Sequence, residues 1–125
     1  MNVVDSSAWL EYFANGANAS FFAPAIERTE KLLVPSPVLY EVFKRVLQQR
    51  DEGHALQAIA VMQQGTVVDL DARLALMAAR ISLERKLPMA DSVILATAHA
   101  YGATVWTQDA DFKGLPAVQF RRRKP

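Results

Sequence analysis

The chain of 125 residues contains no cysteine. A disulfide framework, a thiolate metal site and a cysteine nucleophile are therefore excluded, and nothing points to an oxidising compartment. The apolar stretches, such as Ser92 to Ala98, are far shorter than the ~20 residues that a membrane-spanning helix requires. Asp5 interrupts the first apolar run, so the sequence does not open with the pattern of a signal peptide. We therefore expect a soluble, cytoplasmic protein that does not engage a membrane.

An excess of one charge is also absent, since 14 Lys and Arg against 13 Asp and Glu give a net charge of +1. The distribution is less even than this total. The cations Arg121 to Lys124 lie together near the end of the chain, whereas residues 1–119 contain 10 cations and 13 acids, a net charge of −3. We predict one domain over residues 1–121 and a basic tail over residues 122–125. The tail is either a solvated terminus or a contact for phosphate groups.

Short apolar runs alternate along the chain with longer segments of helical periodicity. Strands that alternate with helices are typical of βαβ units, in which the strands run parallel. We therefore predict an α/β fold, a three-layer α/β/α sandwich around a short, mainly parallel five-stranded sheet. The predicted strands are Asn2 to Val4, Lys31 to Val34, Thr66 to Asp69, Ala103 to Thr107 and Val118 to Phe120.

Capping residues indicate where several helices begin and end. Ser36 before Pro37 predicts an N-cap followed by the first helical position, and the segment Asp51 to Gly53 is predicted to break that helix. The other predicted helices run from about His54 to Gln64, from Ala72 to Lys86 after Asp71 as the N-cap, and from Pro88 to Tyr101 before Gly102.

Four acidic residues occupy comparable places in this predicted fold. Asp5 and Asp109 directly follow the first and fourth strands, while Glu41 and Asp91 lie early in helices. In an open parallel sheet, the carboxyl ends of the strands lie at the same edge as the N-termini of the helices that run antiparallel to them. The four carboxylates are therefore expected to converge, although they are far apart in the sequence.

Each of these acids also has a simpler interpretation. Asp91 falls in the middle of an apolar helical stripe, where an unpaired carboxylate is costly, so we favour a ligand role there over capping of the helix start. Asp5 serves equally well as the N-cap of the first helix, and Asp109 as a turn residue. Periodicity alone places Glu41 on the polar side of its helix, as a solvated side chain.

The candidate ligands are all oxygen donors, which favours Mg²⁺ or Mn²⁺ over zinc or copper. Four like charges in one place repel strongly unless a cation neutralises them. A hard divalent cation with open positions for water and phosphate oxygens is suited to phosphoryl transfer. We therefore expect hydrolysis of a phosphodiester.

Four stretches of the chain resemble the PIN-domain ribonucleases, and specifically the VapC toxins of bacterial toxin–antitoxin pairs. The stretches are Val3 to Glu11, Pro37 to Val42, Ala90 to Ala98 and Thr107 to Phe112. Their order and spacing match from residue 2 to about residue 121. The resemblance implies an Mg²⁺- or Mn²⁺-dependent endoribonuclease that cuts RNA, is inhibited by a small antitoxin protein and forms a homodimer.

The resemblance also implies roles for individual residues. The acids Asp5, Glu41, Asp91 and Asp109 match the family's catalytic, metal-binding quartet, which revises the solvated interpretation of Glu41. The side chains expected to orient or extend this set are Ser7, Thr107 and Asp111. Since RNA has to be held beside a negative cluster, basic side chains should surround it. The basic candidates are Lys44, Arg45, Lys113 and Arg121 to Lys124.

Two other functions remain open at this point. A receiver-type phosphoacceptor domain also carries acids at the carboxyl edge of a parallel sheet, with Asp69 or Asp71 as the acceptor and Lys124 as its basic partner. That function would leave Asp91 and Asp109 without a task. The second alternative is a non-catalytic PIN-fold interaction protein.

Overall fold

A single sheet of five short strands organises the structure, a computed structural model that describes residues 1–125. The strands are β1 (Asn2–Val4), β2 (Leu32–Pro35), β3 (Thr66–Val68), β4 (Thr104–Thr107) and β5 (Val118–Phe120). Their order is β3-β2-β1-β4-β5, and all four pairings are parallel. The predicted strands are confirmed to within about one residue at each end, and the sheet is entirely rather than mainly parallel.

Six helices connect these strands. They are α1 (Ser6–Phe13), α2 (Ala19–Glu27), α3 (Ser36–Gln49), α4 (Glu52–Met62), α5 (Ala72–Arg85) and α6 (Met89–Tyr101), with short 3₁₀ helices at Thr29–Lys31 and Ala110–Phe112. Connections between parallel strands are right-handed. The helices α1 to α4 lead towards β3 and α5 and α6 lead back to β4, so the two groups cover opposite faces of the sheet. The predicted three-layer α/β/α sandwich is thereby confirmed.

The core holds the central strands and the start of α6 in fixed positions. The side chains of Val3, Val4 and Val34 are fully buried, and Trp9 fills the space between the sheet and α1. In α6, every residue from Ser92 to Ala98 is buried, which is typical of a helix packed on several sides. The first turn of α6 is therefore a rigid support for the acid that it carries.

Two predicted helix boundaries are corrected by the structure. Ser36 is the first residue of α3 rather than its N-cap, because Pro35 takes the cap position and the Ser36 hydroxyl accepts a hydrogen bond from the Leu70 amide at 3.2 Å. The break after α3 is also shorter than predicted. Asp51 caps α4 by accepting from the His54 amide at 2.8 Å, so Gly53 is helical.

The connection from α5 to α6 contains an unusual backbone conformation. Asp71 caps the start of α5 as predicted, with its carboxylate 2.9 Å from the Leu74 amide. At the other end, Lys86 adopts φ 56° and ψ 45°, the left-handed region that favours glycine. Helix α2 lies outside the predicted helices, since Pro24 lies within it and interrupts the helical signal.

Candidate active site

Asp5 occupies the floor of the candidate site, at the carboxyl end of β1. Its side chain is only 2% exposed and accepts hydrogen bonds from the Ser7 hydroxyl at 2.7 Å, the Ala8 amide at 3.0 Å and the Thr107 hydroxyl at 2.6 Å. Burial raises the pKa of Asp5 to about 6, although the three donors work against that rise. Asp5 is therefore the N-cap of α1 and is also held by β4.

The turn after β4 carries two further acids, and the charge of one of them, Asp109, acts on Asp5. The Thr107 hydroxyl accepts from the Asp109 amide at 2.9 Å, and Asp109 in turn accepts from the Asp111 amide at 2.9 Å. Thr107 thus links the orientation of Asp5 to that of Asp109. Asp109 has the predicted turn role, as the N-cap of the 3₁₀ helix, and its carboxylate still faces the neighbouring acids.

Asp91 reaches the same place from the first turn of α6. Pro88 takes the N-cap position of that helix, which has no side-chain cap, so the capping alternative for Asp91 is wrong. No hydrogen bond reaches its half-buried carboxylate. Burial, followed by the charges of four neighbouring acids, raises the pKa of Asp91 to about 7. In order of decreasing effect those neighbours are Asp109, Asp5, Asp111 and Glu41.

Three of the carboxylates form a tight group. Ligand oxygens of Asp91, Asp109 and Asp111 all lie within 4.8 Å of one another. Opposite oxygen ligands of a single Mg²⁺ lie roughly 4 Å apart, so the spacing and the all-oxygen donor set fit a hard divalent cation. Asp5 and Glu41 lie outside this tight group, although the pKa of Asp91 responds to both of their charges.

Glu41 also faces the site, because α6 packs beside it. Its side chain is half-buried, and burial together with the Asp109 charge raises its pKa, while the nearby Ser6 hydroxyl opposes this rise. Glu41 shares a cavity of about 500 Å³ with Ser6, Met89 and Ala90. The solvated interpretation from periodicity is therefore wrong, since the pattern of α3 alone contains no information about the end of α6.

One buried residue beside the site has no signal in the sequence. Asn18 is 1% exposed, and its Nδ2 donates to Gln108 Oε1 at 3.0 Å and to the Arg122 carbonyl at 2.9 Å. Gln108 directly precedes Asp109, and its Nε2 is 3.4 Å from the Ser7 carbonyl. Asn18 occupies the N-cap position of α2 without a side-chain cap bond, and no periodicity or spacing in the sequence indicates its contacts with distant residues.

The basic candidates divide into three sets. Arg45, Arg123 and Lys124 line a groove next to Ser7 and Gln108. Two other cations rest on aromatic rings. The Arg121 guanidinium lies 4.3 Å from the Phe21 ring centre, and Lys44 Nζ lies 5.6 Å from that of Tyr40. Lys113 and Arg122 are exposed.

The family model of the PIN domain matches residues 3–118. The chain belongs to the PIN-domain family. Solved structures with the same fold include a toxin–antitoxin complex from Klebsiella pneumoniae, with a TM-score of 0.80 and 20% identity over 95% of this chain and 96% of that chain. No curated protein sequence gives a significant match.

Two further solved structures have the same fold. Mycobacterium tuberculosis VapC20, described as a sarcin–ricin loop cleaving toxin, has a TM-score of 0.78 and 19% identity, covering 94% of this chain and 97% of that chain. DNA-bound VapBC from Salmonella typhimurium has a TM-score of 0.73 and 17% identity, covering 97% of this chain and 96% of that chain. At such identities the likeness establishes the fold alone.

The topology of this PIN domain argues against the receiver alternative. Receiver domains have the strand order 2-1-3-4-5, whereas here β1 lies between β2 and β4. Asp71 uses its carboxylate to cap α5, and Asp69 is exposed after an edge strand.

No helix combines the length and apolar character needed to cross a membrane.

Proposed function

We propose that this PIN domain is a divalent-metal-dependent endoribonuclease that acts as the toxin of a toxin–antitoxin pair. Three carboxylates within 4.8 Å of one another, at the carboxyl edge of a parallel sheet, are the observation that carries the proposal. We assign the nuclease domain to residues 1–121 and a basic tail to residues 122–125. RNA as the substrate puts its site of action in the cytoplasm.

The proposed catalytic, metal-binding residues are Asp5, Glu41, Asp91 and Asp109. When bound by these acids, Mg²⁺ or Mn²⁺ would lower the pKa of a water molecule and offset the charge that develops on the phosphodiester. Asp91 is suited to a direct contact, because its carboxylate has no hydrogen-bond donor from the protein. Asp5 is held by Ser7 and Thr107, and Asp111 extends the acidic group towards solvent.

The toxin assignment is supported by neighbours that are toxin–antitoxin complexes. An antitoxin segment with an apolar helical face would fit the groove of about 340 Å³ between α1, α3 and α4, which includes Phe13, Val46 and Val61. We also propose a homodimer. The apolar side chains of Leu76 and Leu83 lie one heptad apart on the outer side of α5 and are 69% and 84% exposed.

Substitution of Asp91 tests the proposed reaction directly. We expect Asp91→Asn to lower Mg²⁺-dependent RNA cleavage by about 10³-fold, since an uncharged amide binds the cation weakly and several kcal/mol of charge stabilisation are lost. Asp69→Asn is the matched control, because it removes the same charge from an exposed position. The measurement is cleavage of purified RNA with Mg²⁺ and with EDTA, followed by sequencing of RNA ends after brief induction in cells.

Three results would contradict the proposal. Cleavage that persists in EDTA would show that the reaction does not depend on a metal ion. Full activity of Asp91→Asn would show that the acidic group is not the active site. A folded wild-type protein that binds the antitoxin but cuts no RNA would favour the non-catalytic interaction protein.

A further inference from the structure

The groove next to Ser7 and Gln108 has a volume of about 480 Å³ and opens beside the acidic group. Three cations line it, Arg45 from α3 and Arg123 and Lys124 from the C-terminal tail. The single acid in its lining is Glu11, whose Oε2 accepts a hydrogen bond from the Asn18 amide at 2.7 Å. The groove therefore carries a net positive charge next to a cluster of negative charge.

The groove is continuous with the candidate active site. Ser7 lines it and donates to Asp5 at 2.7 Å. Gln108 also lines it and directly precedes Asp109. A polyanion lying along the three cations would thus pass within reach of the acids, where a bound cation could receive one of its phosphates.

Asn18 determines where the tail enters this groove. The tail leaves β5 with the Arg121 amide donating to the Thr107 carbonyl at 3.0 Å. The next contact is the bond from Asn18 Nδ2 to the Arg122 carbonyl at 2.9 Å, and no hydrogen bond holds the residues after it. Asn18 is thus the last anchor before Arg123 and Lys124.

The buried side-chain amide of Asn18 makes hydrogen bonds through its Nδ2 donors but not through its Oδ1 acceptor. Its Nδ2 donates to Gln108 and to the Arg122 carbonyl, while its Oδ1 is buried without a partner. An unpaired buried acceptor costs free energy. The arrangement therefore fixes Gln108 and the tail relative to each other at some expense to stability.

We propose that Asn18 is a positioning residue that sets Arg123 and Lys124 across from Arg45, and that this groove binds the phosphate backbone of single-stranded RNA beside the bond to be cut. The inference rests on the proposed ribonuclease function and adds the path of its substrate. RNA is favoured over an acidic protein segment because the groove leads directly to the acids that would hold the catalytic cation.

The salt dependence of RNA binding tests the groove. Binding of a fluorescently labelled single-stranded oligoribonucleotide to the full chain is followed by anisotropy in EDTA, which prevents metal-dependent cleavage. Loss of two phosphate contacts in Arg123→Gln/Lys124→Gln should reduce the slope of log K against log salt by about 1.4, equivalent to roughly 25-fold weaker binding near 0.1 M salt. Arg45→Gln should show about half that change in slope.

The matched control is Arg28→Gln/Lys31→Gln, which removes two exposed cations from the amino edge of the sheet. It should leave the slope unchanged. An equal loss in the control and in the tail variant would overturn the groove assignment. So would a tail variant that binds RNA normally but binds the antitoxin weakly, since the groove would then take an acidic protein segment.

A double-mutant cycle tests Asn18 itself. Asn18→Asp keeps the shape but places an acceptor against Gln108 Oε1 and the Arg122 carbonyl, so it should release the tail and reduce the RNA slope as the tail variant does. In a chain truncated after Arg121, the same substitution should have no further effect on RNA binding. An equal effect in both backgrounds would indicate general damage to the fold and would overturn the positioning role.

If circular dichroism shows that Asn18→Asp does not fold, Asn18→Ala, which also loses both donors, replaces it in the cycle. Cleavage with Mg²⁺ is measured in parallel. RNA binding that depends on the tail, without any cleavage, would support the proposed RNA-binding groove and contradict the proposed nuclease activity. Cleavage together with tail-independent binding would overturn the groove alone.

Discussion

The floor and the rim of the candidate site give their carboxylates different burial and different numbers of hydrogen-bond donors. On the floor, Asp5 is 2% exposed and receives three hydrogen bonds. At the rim, Asp91 is half-buried among four other acids and receives none. The pKa values of both are raised, to about 6 and about 7. Burial is the main cause in both cases, and only at the floor does the protein supply donors that oppose it.

This difference separates two ways of holding a proposed metal ligand. The donors to Asp5 connect it to α1 and to β4, so its orientation is fixed before any ligand arrives. Asp91 is carried by the packed helix α6, and its carboxylate has no hydrogen-bond partner. Its carboxylate can be stabilised by a cation without breaking any existing hydrogen bond, whereas Asp5 is held by hydrogen-bond donors in the way that metal-ligating carboxylates usually are.

Replacing each acid by alanine is the strongest way to break this comparison. Asp5→Ala removes the α1 cap and leaves the Ser7 and Thr107 hydroxyls and the Ala8 amide without their acceptor. We expect a loss of about 2 kcal/mol in the free energy of unfolding. Asp91→Ala removes no hydrogen bond and relieves repulsion, so the metal-free protein should be no less stable. Denaturant unfolding in EDTA measures both, and equal losses would contradict the distinction.

Thr107 offers a smaller change that acts through Asp5 and Asp109 together. Thr107→Val keeps the shape but removes the donor to Asp5 and the acceptor for the Asp109 amide. We expect RNA cleavage to fall by about tenfold, with a stability loss of about 1 kcal/mol. Thr107→Ser should restore most of the activity, because it restores the hydroxyl. A Thr107→Val protein as active as the wild type would show that this link does not orient the acids.

Local patterns in the sequence were sufficient for the sheet and for part of the site. Strand runs placed Asp5 and Asp109 at the carboxyl edge, because each acid directly follows the apolar run that forms its strand. Helical periodicity failed for Glu41, whose environment is set by residues of α6. It was silent on Asn18, whose partners Gln108 and Arg122 are 90 and 104 positions away. Contacts of this kind depend on the packing of distant segments, which no local pattern records.

The pH dependence of stability sharpens the comparison further. Because the pKa values of Asp5 and Asp91 rise from 3.8 to about 6 and about 7, the folded metal-free protein retains protons that the unfolded chain has released. Stability should therefore fall as the pH rises through this range and increase on acidification from about 8 to about 5.

Between about pH 5 and about pH 8, we expect the ionisation of Asp91 to lower the free energy of unfolding by about 1 kcal/mol after allowance for solvent screening. This loss corresponds to a fall of roughly 4 °C in Tm. Thermal unfolding in EDTA across this pH range measures it. Addition of Mg²⁺ at about pH 8 should recover the lost stability in the wild type but not in Asp91→Asn. A Tm that is independent of pH in EDTA would show that the pKa values of these acids are not raised in the folded protein.

The smallest expected effect concerns the connection that leads to Asp91. Lys86 holds a left-handed conformation at φ 56°, which costs a residue with a side chain more than it costs glycine. Lys86→Gly should therefore raise the free energy of unfolding by about 0.5 kcal/mol, the relief of backbone strain exceeding the greater entropy of the unfolded chain. Arg85→Gly is the control, because that residue ends α5 in helical conformation and should lose about 0.5–1 kcal/mol. Since α6 is anchored by its buried run from Ser92 to Ala98, neither change should alter RNA cleavage. A large loss of cleavage in Lys86→Gly would mean that this connection, and not the core contact of α6, sets the position of Asp91.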